Sequence, residues 1–285
     1  MRRSILASLA ASLLAACTPA RPPASLPPAT ASPLPTSTTS PTPAPSPTPT
    51  TLACLRRPGQ IIVEEYVDAD LPRSIPYRVY LPPCYDRQGP AGYPLLVLLH
   101  GLLFTDSQWD EIGIDETADG LIRDGAIPPL VIVLPWERKG LDFESAVVDH
   151  LVPHIRSTYS GEGSRATTAI GGLSRGAGWA LRIGLKHPEV FGAIGLHSPA
   201  VLPPDLYHLG GWIDAARSAG VLPALWIDIA ERDTSRAGAL ELAAALDDLD
   251  VPYAWSTAPG EHTAAYWSSR LEDYLRWYGS LWSAP

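Results

Sequence analysis

The chain has 285 residues, and 46% of them are apolar, which is sufficient for one hydrophobic core of ordinary domain size. Its net charge is −9, and it becomes −11 if Arg2 and Arg3 are removed, since 19 basic residues then face 30 acidic ones. The sequence has no basic patch or stripe, so this charge balance argues against nucleic acid as a partner.

The first sixteen residues have the pattern of an export signal. Arg2 and Arg3 form a charged start, and residues 5–16 form an apolar stretch that is too short to span a bilayer. The string LAAC at residues 14–17 resembles a bacterial lipobox. In that class of signal the cysteine is acylated and becomes the first residue, so we expect residues 1–16 to be a signal peptide and Cys17 to anchor the protein to a membrane. The alternative is ordinary secretion with a chance cysteine at this position.

A proline-rich stretch separates this signal from the rest of the chain. Residues 18–51 contain twelve prolines, and Arg21 is the only charged residue among them. Because the stretch has no apolar periodicity that could form a core, we expect residues 17–53 to be a disordered, extended linker. The linker would hold a folded domain, residues 54–285, outside the cytoplasm and clear of the membrane surface.

Two cysteines remain once Cys17 is set aside, and in an exported chain such a pair suggests one disulfide. Gln60 to Val67 and Tyr77 to Leu81 read as strands joined by a turn, and their simplest arrangement is an antiparallel hairpin. Cys54 precedes the first strand and Cys84 follows the second, so the hairpin places both at one end. We therefore expect a disulfide between Cys54 and Cys84.

Beyond the hairpin, strands alternate with helices. Residues 95–99 (LLVLL) and 130–134 (LVIVL) are continuous apolar runs, which are typical of parallel strands covered on both faces. Further strands are expected at Phe191–Leu196, Ala224–Ala230 and Tyr253–Thr257, and helices at Asp115–Asp124, Phe143–Tyr159, Trp212–Ala219, Ser235–Leu249 and His262–Trp277. This alternation predicts an α/β fold with a mostly parallel sheet and helices on both faces. Ligands of such sheets bind beyond the carboxyl ends of the strands.

The most informative stretch is residues 166–179, ATTAIGGLSRGAGW. A short strand-like run leads into the pattern G-x-S-x-G around Ser174, and a helix-forming segment follows that ends before Pro188. This context is typical of the nucleophile elbow of α/β hydrolases, a strained turn that exposes a serine hydroxyl at the top of a parallel sheet. Gly172 and Gly176 flank the serine because the two backbones approach too closely for a Cβ atom. The sequence therefore predicts Ser174 as a nucleophile, with a glycine-rich turn and a solvated serine as the alternative.

A serine hydroxyl becomes a good nucleophile when a histidine takes its proton and a carboxylate orients that histidine. In α/β hydrolases the chain order is nucleophile, acid and histidine. Of the seven histidines, His262 alone lies in a loop after the last expected strand and before the last helix, where the base belongs. Asp233 follows the strand 224–230 by three residues and is the first candidate for the acid. Asp228, which lies within that strand and is interpreted as structural, and Asp205 are its rivals.

A carbonyl group that is attacked by serine develops a negative charge on its oxygen, which two backbone N–H groups have to stabilise. The residue after the nucleophile, Arg175, supplies one donor. The strand 95–99 runs directly into His100-Gly101-Leu102. We expect the Leu102 amide to be the second donor, with Leu103 as the fallback, and Gly101 to permit a tight approach beside the substrate. His100 is interpreted as a buttress of this loop.

These segments together resemble the esterase D branch of α/β hydrolases, which includes enterochelin-esterase-like and feruloyl esterases, S-formylglutathione hydrolase and the mycolyltransferases. The resemblance covers residues 60–281 and rests on HG at residues 100–101, the elbow, residues 228–233, PGEH at 259–262 and YW at 266–267. It implies an α/β-hydrolase fold with an N-terminal antiparallel hairpin, and cleavage of carboxylic esters through Ser174, Asp233 and His262.

Two positions depart from the pattern of this family, and a third suggests a role. The family often has glycine where Ala230 and Glu261 stand, which leaves a carboxylate beside the expected base. Phe143 and Glu144 precede the long helix and resemble a family position at the pocket edge. The resemblance therefore suggests a structural or substrate-facing role for Glu144.

Tryptophans in or beside loops after strands suit a pocket for an acyl or aryl group. We expect Trp109 and Trp136 to contribute to the rim of the substrate pocket, with Trp212 as a third candidate. Trp267 and Trp277 on the last helix are interpreted as core residues.

Two other enzyme classes fit the sequence less well. His150 and His154 are four residues apart on an expected helix, but the string HLVPH lacks the glutamate of H-E-x-x-H and contains a proline. A dinucleotide enzyme is disfavoured because no G-x-G-x-x-G opens a helix. The sequence therefore predicts an exported serine esterase that uses no metal or other cofactor and acts on a small-molecule or polysaccharide-linked ester. Acyl transfer by the same triad and a catalytically inactive surface-binding lipoprotein are the alternatives.

The lipobox predicts covalent acylation of Cys17. When the full chain is expressed in a bacterium fed labelled palmitate, we expect the label on the wild-type chain and on a Thr18→Ala control, and its loss from Cys17→Ala. Mass spectrometry of the N-terminal peptide should find Cys17 first in the mature chain and resistant to alkylation. A free N-terminus at a later residue would contradict the prediction.

Overall fold

The computed structural model describes residues 53–87 and 92–282. The predicted signal peptide 1–16, Cys17 and the linker up to residue 52 lie outside the described residues. Within the described ranges, no helix has the length and apolar character needed to cross a bilayer.

An eight-stranded sheet lies at the centre of the described region, with the strand order β1-β2-β4-β3-β5-β6-β7-β8. The strands are β1 Gln60–Tyr66, β2 Ile75–Leu81, β3 Leu95–Leu99, β4 Val131–Pro135, β5 Thr168–Leu173, β6 Ala193–His197, β7 Ala224–Ala230 and β8 Ala254–Ala258. Strand β2 pairs antiparallel with both β1 and β4. All other pairs are parallel. The predicted mostly parallel sheet with an N-terminal hairpin is confirmed.

Helices follow most of the strands and cover both faces of the sheet. They are α1 Gln108–Glu111, α2 Ile114–Arg123, α3 Phe143–Ser145, α4 Val152–Ile155, α5 Arg175–Lys186, α6 Pro203–Ser218, α7 Arg236–Asp248 and α8 Ala264–Ser280. The π-helical residues Ala146–Leu151 and Arg156–Ser160 extend α3 and α4 into one continuous helix over residues 143–160. Proline has no N–H to donate, so Pro153 interrupts the regular α-helical bonds of this helix.

The position of strand β3 in the sheet explains why its sequence is apolar throughout. Leu95, Val97 and Leu99 pack into the core that includes side chains of α5, α6, α7 and the 143–160 helix. Leu96 and Leu98 point the other way and pack with side chains of α1, α2 and α8. Successive side chains of a strand alternate between the faces, and both faces are covered here, so the run of five apolar residues is required.

The structure differs from the sequence prediction at helix α6. The predicted helix Trp212–Ala219 is too short, because α6 already begins at Pro203. Two prolines occupy its first positions, where the missing N–H groups would have no helical partner in any case. The Asp205 side chain accepts the Leu202 N–H at 2.8 Å and caps the helix. The prolines therefore mark the start of this helix, although they suggest a loop when read from the sequence.

The N-terminal hairpin has the predicted disulfide at its base. Cys54 and Cys84 are bonded, with their Cα atoms 5.1 Å apart. The register of the hairpin runs from Gln60 opposite Leu81 to Tyr66 opposite Ile75. This register brings the segments before β1 and after β2 to the same end, so the predicted Cys54–Cys84 disulfide is confirmed.

A neutral histidine lies at the centre of the α8 side of the sheet. His197, the last residue of β6, is fully buried, and its ring stacks on Tyr274 with 3.7 Å between centroids. The hydroxyl of Tyr278 lies 3.2 Å from His197 Nε2. Burial, assisted by the charge of Arg270, lowers the pKa of His197 to about 3.

The depressed pKa of His197 predicts an acid-sensitive fold. Below about pH 6.5 the unfolded chain binds a proton at this side chain that the folded chain does not bind until about pH 3, so stability falls as the pH drops through this window. In chemical denaturation from pH 7 to pH 4, His197→Asn should reduce the pH slope of the free energy of unfolding by up to about 1.4 kcal/mol per pH unit. The exposed control His208→Asn should keep the wild-type slope, and an unchanged slope in His197→Asn would refute the assignment.

Candidate active site

Ser174 lies in a tight turn between β5 and α5. Its backbone has φ 54° and ψ −114°, a conformation that is strained for a residue with a side chain. Hydrogen bonds hold this conformation in place, because the Ser174 N–H donates to the His197 carbonyl at 2.9 Å and the Ser174 carbonyl accepts from Ala200 at 3.0 Å. The strained conformation is therefore held by β6 and by the residues that follow it. The serine side chain remains half-buried.

Two glycines allow the close approach that this turn requires. A Cβ atom on Gly172 would lie 2.3 Å from the backbone carbon of Gly176. A Cβ atom on Gly176 would lie 2.3 Å from the carbonyl oxygen of Leu99 and 2.6 Å from that of His100. The backbone before the serine thus contacts the backbone after it, and the latter also contacts the end of β3, as the glycine pattern predicts.

Of the three residues that sequence order selects, His262 lies within hydrogen-bonding distance of both others. Ser174 Oγ is 2.9 Å from His262 Nε2, and His262 Nδ1 is 2.8 Å from Asp233 Oδ1. Asp233 lies in the turn after β7, and its Oδ1 atom also accepts the Ser235 N–H at 2.7 Å. His262 lies directly before Thr263, whose side chain caps α8. A proton can therefore pass from the serine to a histidine whose other nitrogen is fixed by a carboxylate.

The environment of Asp233 favours its ionised form. Burial alone would raise the pKa of this carboxyl group, but hydrogen bonds from His262 and from the Ser235 backbone lower it, and the nearby Ser198 hydroxyl acts in the same direction. A carboxylate that stays charged keeps the histidine N–H directed toward it and stabilises the imidazolium that forms when the serine loses its proton.

The rival carboxylates lie elsewhere and have other partners. Asp228 is fully buried, and its Oδ2 atom accepts the hydroxyls of Tyr266 at 3.0 Å and Tyr274 at 2.7 Å. Asp205 caps α6 and pairs with Arg182. Neither carboxylate contacts His262, so the interpretation of Asp228 as structural agrees with the structure.

The expected oxyanion donors belong to the loop after β3 and to the first turn of α5. The Gly101 N–H donates to the side chain of Gln108 at 2.7 Å, so it is not available to a substrate. Among the described residues, no hydrogen bond uses the N–H of Leu102. The N–H of Arg175 belongs to the first turn of α5, where helices leave N–H groups without an internal partner. Leu103 has a positive φ of 68° and is 94% exposed.

His100 connects the parts of this region. Its Nδ1 atom is 2.8 Å from the Gly101 carbonyl, and its Nε2 atom accepts the Glu137 N–H at 2.9 Å. Burial lowers the pKa of His100, which agrees with a neutral ring that accepts at Nε2. The Glu137 carboxylate in turn pairs with the Arg175 guanidinium. Loop 100–102 and the elbow residue Arg175 are thus tied together through Glu137, a partner that the sequence did not indicate.

Two cavities share the loop after β3 as part of their lining, and Ser174 lines the first of them. The first has a volume of about 350 Å³ and is lined by Gly101, Leu102, Phe104, Ser174, His262, Thr263, Ala264 and Trp267. The second, of about 570 Å³, is lined by residues 100–105, 136–141 and Arg175. Trp136 belongs to this second cavity, and the guanidinium of Arg138 lies 5.6 Å from the centre of its ring. Gly101 lines both cavities.

The other predicted rim residues are placed differently. The expectation that Trp109 lies at the rim is wrong: its side chain is 1% exposed, and its Nε1 atom donates to the Leu99 carbonyl at 3.1 Å. Trp109 therefore supports the end of β3 from inside the core. Trp212 stacks on His208 of α6 and lines neither cavity. Trp267 is buried as predicted, but it also lines the smaller cavity and packs edge-on against His262.

Three further residues that the sequence singled out have structural partners. Glu144 hydrogen-bonds Lys186 at 2.6 Å and His187 at 2.9 Å, so it joins the 143–160 helix to the end of α5. His150 lies 3.5 Å from Asp68, and His154 lies 3.1 Å from the Tyr77 hydroxyl. A structural or a substrate-facing role was suggested for Glu144, and these contacts support the structural role.

Comparison with known proteins assigns this architecture to a family. A family model described as "Putative esterase" matches residues 69–278. An endo-1,4-beta-xylanase/feruloyl esterase from Xylanibacter ruminicola is 30% identical over 126 residues. That match covers 40% of this chain but only 17% of the relative.

Solved structures share the fold. A ferulic acid esterase superposes with a TM-score of 0.71 at 23% identity, covering 79% of this chain and 99% of that one. An S-formylglutathione hydrolase from Staphylococcus aureus superposes with a TM-score of 0.64 at 18% identity, covering 78% of this chain and 98% of that one. At these identities the likeness establishes the α/β-hydrolase fold.

The elbow contacts predict opposite effects for two Gly→Ala substitutions. Gly176→Ala should lower the free energy of unfolding by about 3 kcal/mol or more, because the new methyl group meets backbone that cannot move aside. The matched control Gly120→Ala, within α2, has open space around the new Cβ and should raise it by up to about 1 kcal/mol. Urea denaturation measures both values, and a Gly176→Ala variant as stable as the wild type would contradict the described contact.

Proposed function

This chain belongs to the family described as "Putative esterase", and we propose that it hydrolyses carboxylic esters through Ser174, His262 and Asp233 outside the cytoplasm. The observation that carries the proposal is the continuous series of hydrogen bonds from Ser174 Oγ through His262 to Asp233. Ser174 and His262 also line a cavity that can receive a substrate.

Acylation begins when Ser174 Oγ attacks the carbonyl carbon of the ester. His262 Nε2, 2.9 Å away, takes the hydroxyl proton, and Asp233 stabilises the resulting imidazolium. The carbonyl oxygen becomes an oxyanion and accepts hydrogen bonds from the N–H groups of Leu102 and Arg175. The imidazolium then donates its proton to the leaving alcohol, the ester C–O bond breaks, and an acyl-serine remains.

Deacylation repeats these steps with water as the nucleophile. His262 removes a proton from a water molecule, whose oxygen attacks the acyl-serine carbonyl. The same two N–H groups stabilise the second oxyanion. Ser174 leaves with the proton from His262, and the carboxylic acid departs. No step of this mechanism uses a metal or an organic cofactor.

The substrate in this proposal is an ester with an apolar or aromatic acyl group. Leu102, Phe104 and Trp267 line the smaller cavity beside Ser174 and offer an apolar surface of suitable size. The larger cavity is more polar, with Trp136, Arg138 and Lys139 at its edge, and it suits the alcohol half, such as a sugar. The feruloyl esterase relative supports an aryl ester linked to a polysaccharide.

The location in this proposal follows from the N-terminal sequence. The signal-like start and the lipobox string support export and an acylated Cys17, and the proline-rich stretch supports a spacer between the membrane and residues 54–285. The Cys54–Cys84 disulfide supports an oxidising compartment. S-formylglutathione is therefore an unsuitable substrate, because glutathione chemistry belongs to the cytosol.

Hydrolysis of p-nitrophenyl butyrate and methyl ferulate by the purified protein tests the proposal. Ser174→Ala removes the nucleophile and should lower kcat by about 10⁶-fold. Asp233→Asn leaves His262 without its orienting carboxylate and should lower kcat by about 10⁴-fold. Asp228→Asn is the matched control: it alters a buried carboxylate that does not contact His262, so it should lower thermal stability and leave kcat of the folded protein near the wild-type value.

Three other results would contradict parts of the proposal. Equal rates for the wild type and Ser174→Ala would favour a binding protein that retains the fold without the activity. An added alcohol that captures the acyl group in preference to water would identify an acyltransferase. Loss of activity in Asp228→Asn, with a normal rate in Asp233→Asn, would reverse the assignment of the acid.

A further inference from the structure

Ser198 is a buried residue in an unusual conformation next to the proposed triad. It follows the last residue of β6, is fully buried and has a positive φ of 52°. Its N–H donates to the Asp228 carbonyl on β7 at 2.7 Å, so the neighbouring strand fixes its backbone. A strained residue with a side chain persists where the surroundings determine it, and such residues concentrate at functional sites.

The Ser198 hydroxyl has a hydrogen-bond partner that can only donate to it, so the direction of this hydrogen bond is fixed. Trp267 Nε1 donates to Ser198 Oγ at 2.9 Å. An indole nitrogen is only a donor, so it cannot accept the hydroxyl proton of the serine. Because Ser198 is fully buried, this proton needs an acceptor within the protein.

Asp233 offers such an acceptor. Its Oδ1 atom is occupied by His262 and by the Ser235 N–H. Its Oδ2 atom is buried and has no hydrogen-bond partner within 3.5 Å among the described residues. Trp267, which donates to the Ser198 hydroxyl, packs against His262, and His262 bonds Asp233, so the hydroxyl and this carboxylate belong to one cluster of contacts. The Ser198 hydroxyl also contributes to lowering the Asp233 pKa. The Ser198 hydroxyl, which needs an acceptor, and Asp233 Oδ2, which needs a donor, therefore lie in the same cluster.

We propose that Ser198 is a positioning residue for the Asp233–His262 pair: its hydroxyl donates to Asp233 Oδ2 while Trp267 holds that hydroxyl in place. This inference rests on the proposed function of Ser174, His262 and Asp233. The Trp267 ring also lies edge-on against His262, with 5.0 Å between centroids and an interplanar angle of 84°. One tryptophan thus restrains both members of the pair, His262 by contact and Asp233 through Ser198.

The arrangement has a chemical consequence. With both oxygens bonded, the carboxylate cannot rotate about its Cβ–Cγ bond, so Oδ1 stays directed at His262 Nδ1. Donation to Oδ2 also stabilises the carboxylate charge without adding a proton to the site. Ser198 touches neither the ester nor the oxyanion in this proposal, and it acts through Asp233.

The test compares Ser198→Ala, Ser198→Gly and Trp267→Phe in the full protein, with p-nitrophenyl butyrate as the substrate. Both Ser198 variants should lower kcat by about tenfold with little change in KM, as loss of a hydrogen bond to a charged group predicts. The acidic limb of the kcat/KM profile should move to higher pH, because a carboxylate that loses a donor carries more localised negative charge and stabilises the protonated base more strongly.

The glycine variant separates the hydroxyl from the backbone. Glycine fits a positive φ without strain, so Ser198→Gly should be at least as thermally stable as Ser198→Ala and still lose kcat. Trp267→Phe keeps an aromatic ring but loses the N–H donor. Its effect on kcat and that of Ser198→Ala should be non-additive in the double variant, because both substitutions interrupt the same series of bonds.

Two controls and one substrate-free measurement complete the experiment. Ser256→Ala removes a hydroxyl that donates to Asp228, and Trp277→Phe alters the same helix as Trp267; both should leave the acidic limb unchanged. The low-field proton resonance between His262 and Asp233, identified by its absence in His262→Gln, should shift or broaden in Ser198→Ala and not in Ser256→Ala.

The outcomes separate the two proposals. Wild-type kcat and an unmoved acidic limb in both Ser198 variants would overturn the role of Ser198 while leaving the esterase intact. Additive effects of the Ser198 and Trp267 substitutions would overturn the role of Trp267 in holding the hydroxyl. If the wild type and Ser174→Ala hydrolyse the ester at equal rates, the proposed function fails, and the proton resonance then decides whether Ser198 contacts Asp233.

Discussion

The site depends on one close approach, that of the elbow to the end of β3. The backbone of Gly176 lies against the carbonyl oxygens of Leu99 and His100, at a distance that no side chain would permit. Since α5 begins at this point, its first N–H groups lie beside the loop that follows β3. The two donors expected to stabilise an oxyanion thus come from chain segments that are far apart in sequence. Their proximity results from backbone packing in the elbow.

The carboxylates around β7 show how similar groups acquire different roles. Asp228 lies within the strand and is surrounded by donors from Tyr266, Tyr274 and Ser256, so it is fixed in the core. Asp233 lies five residues later in a turn, where one of its oxygens can meet a histidine from the loop before α8. The position of each carboxylate relative to the end of the strand determines whether it can reach the surface where Ser174 lies.

Much of this arrangement can be predicted from the sequence. The parts that cannot be predicted have one cause in common. The elbow, the order of Ser174, Asp233 and His262, and the hairpin follow from local patterns and chain order. The buried place of Trp109 does not follow, because a tryptophan in a loop after a strand can turn inward as easily as outward. Glu137 and Ser198 were missed because their significance lies in partners that only the folded chain brings near. Local patterns predict elements, whereas tertiary packing assigns these partners.

The disulfide at the base of the hairpin has a mechanical consequence. Cys54 and Cys84 close a covalent loop with a sequence separation of 30 residues, and both β1 and β2 lie inside it. A pulling force applied to the chain ahead of Cys54 therefore crosses the sulfur–sulfur bond to Cys84 and bypasses the loop. The hydrogen bonds between β1 and β2 carry no load, so the edge strand of the sheet is protected from being peeled away under tension.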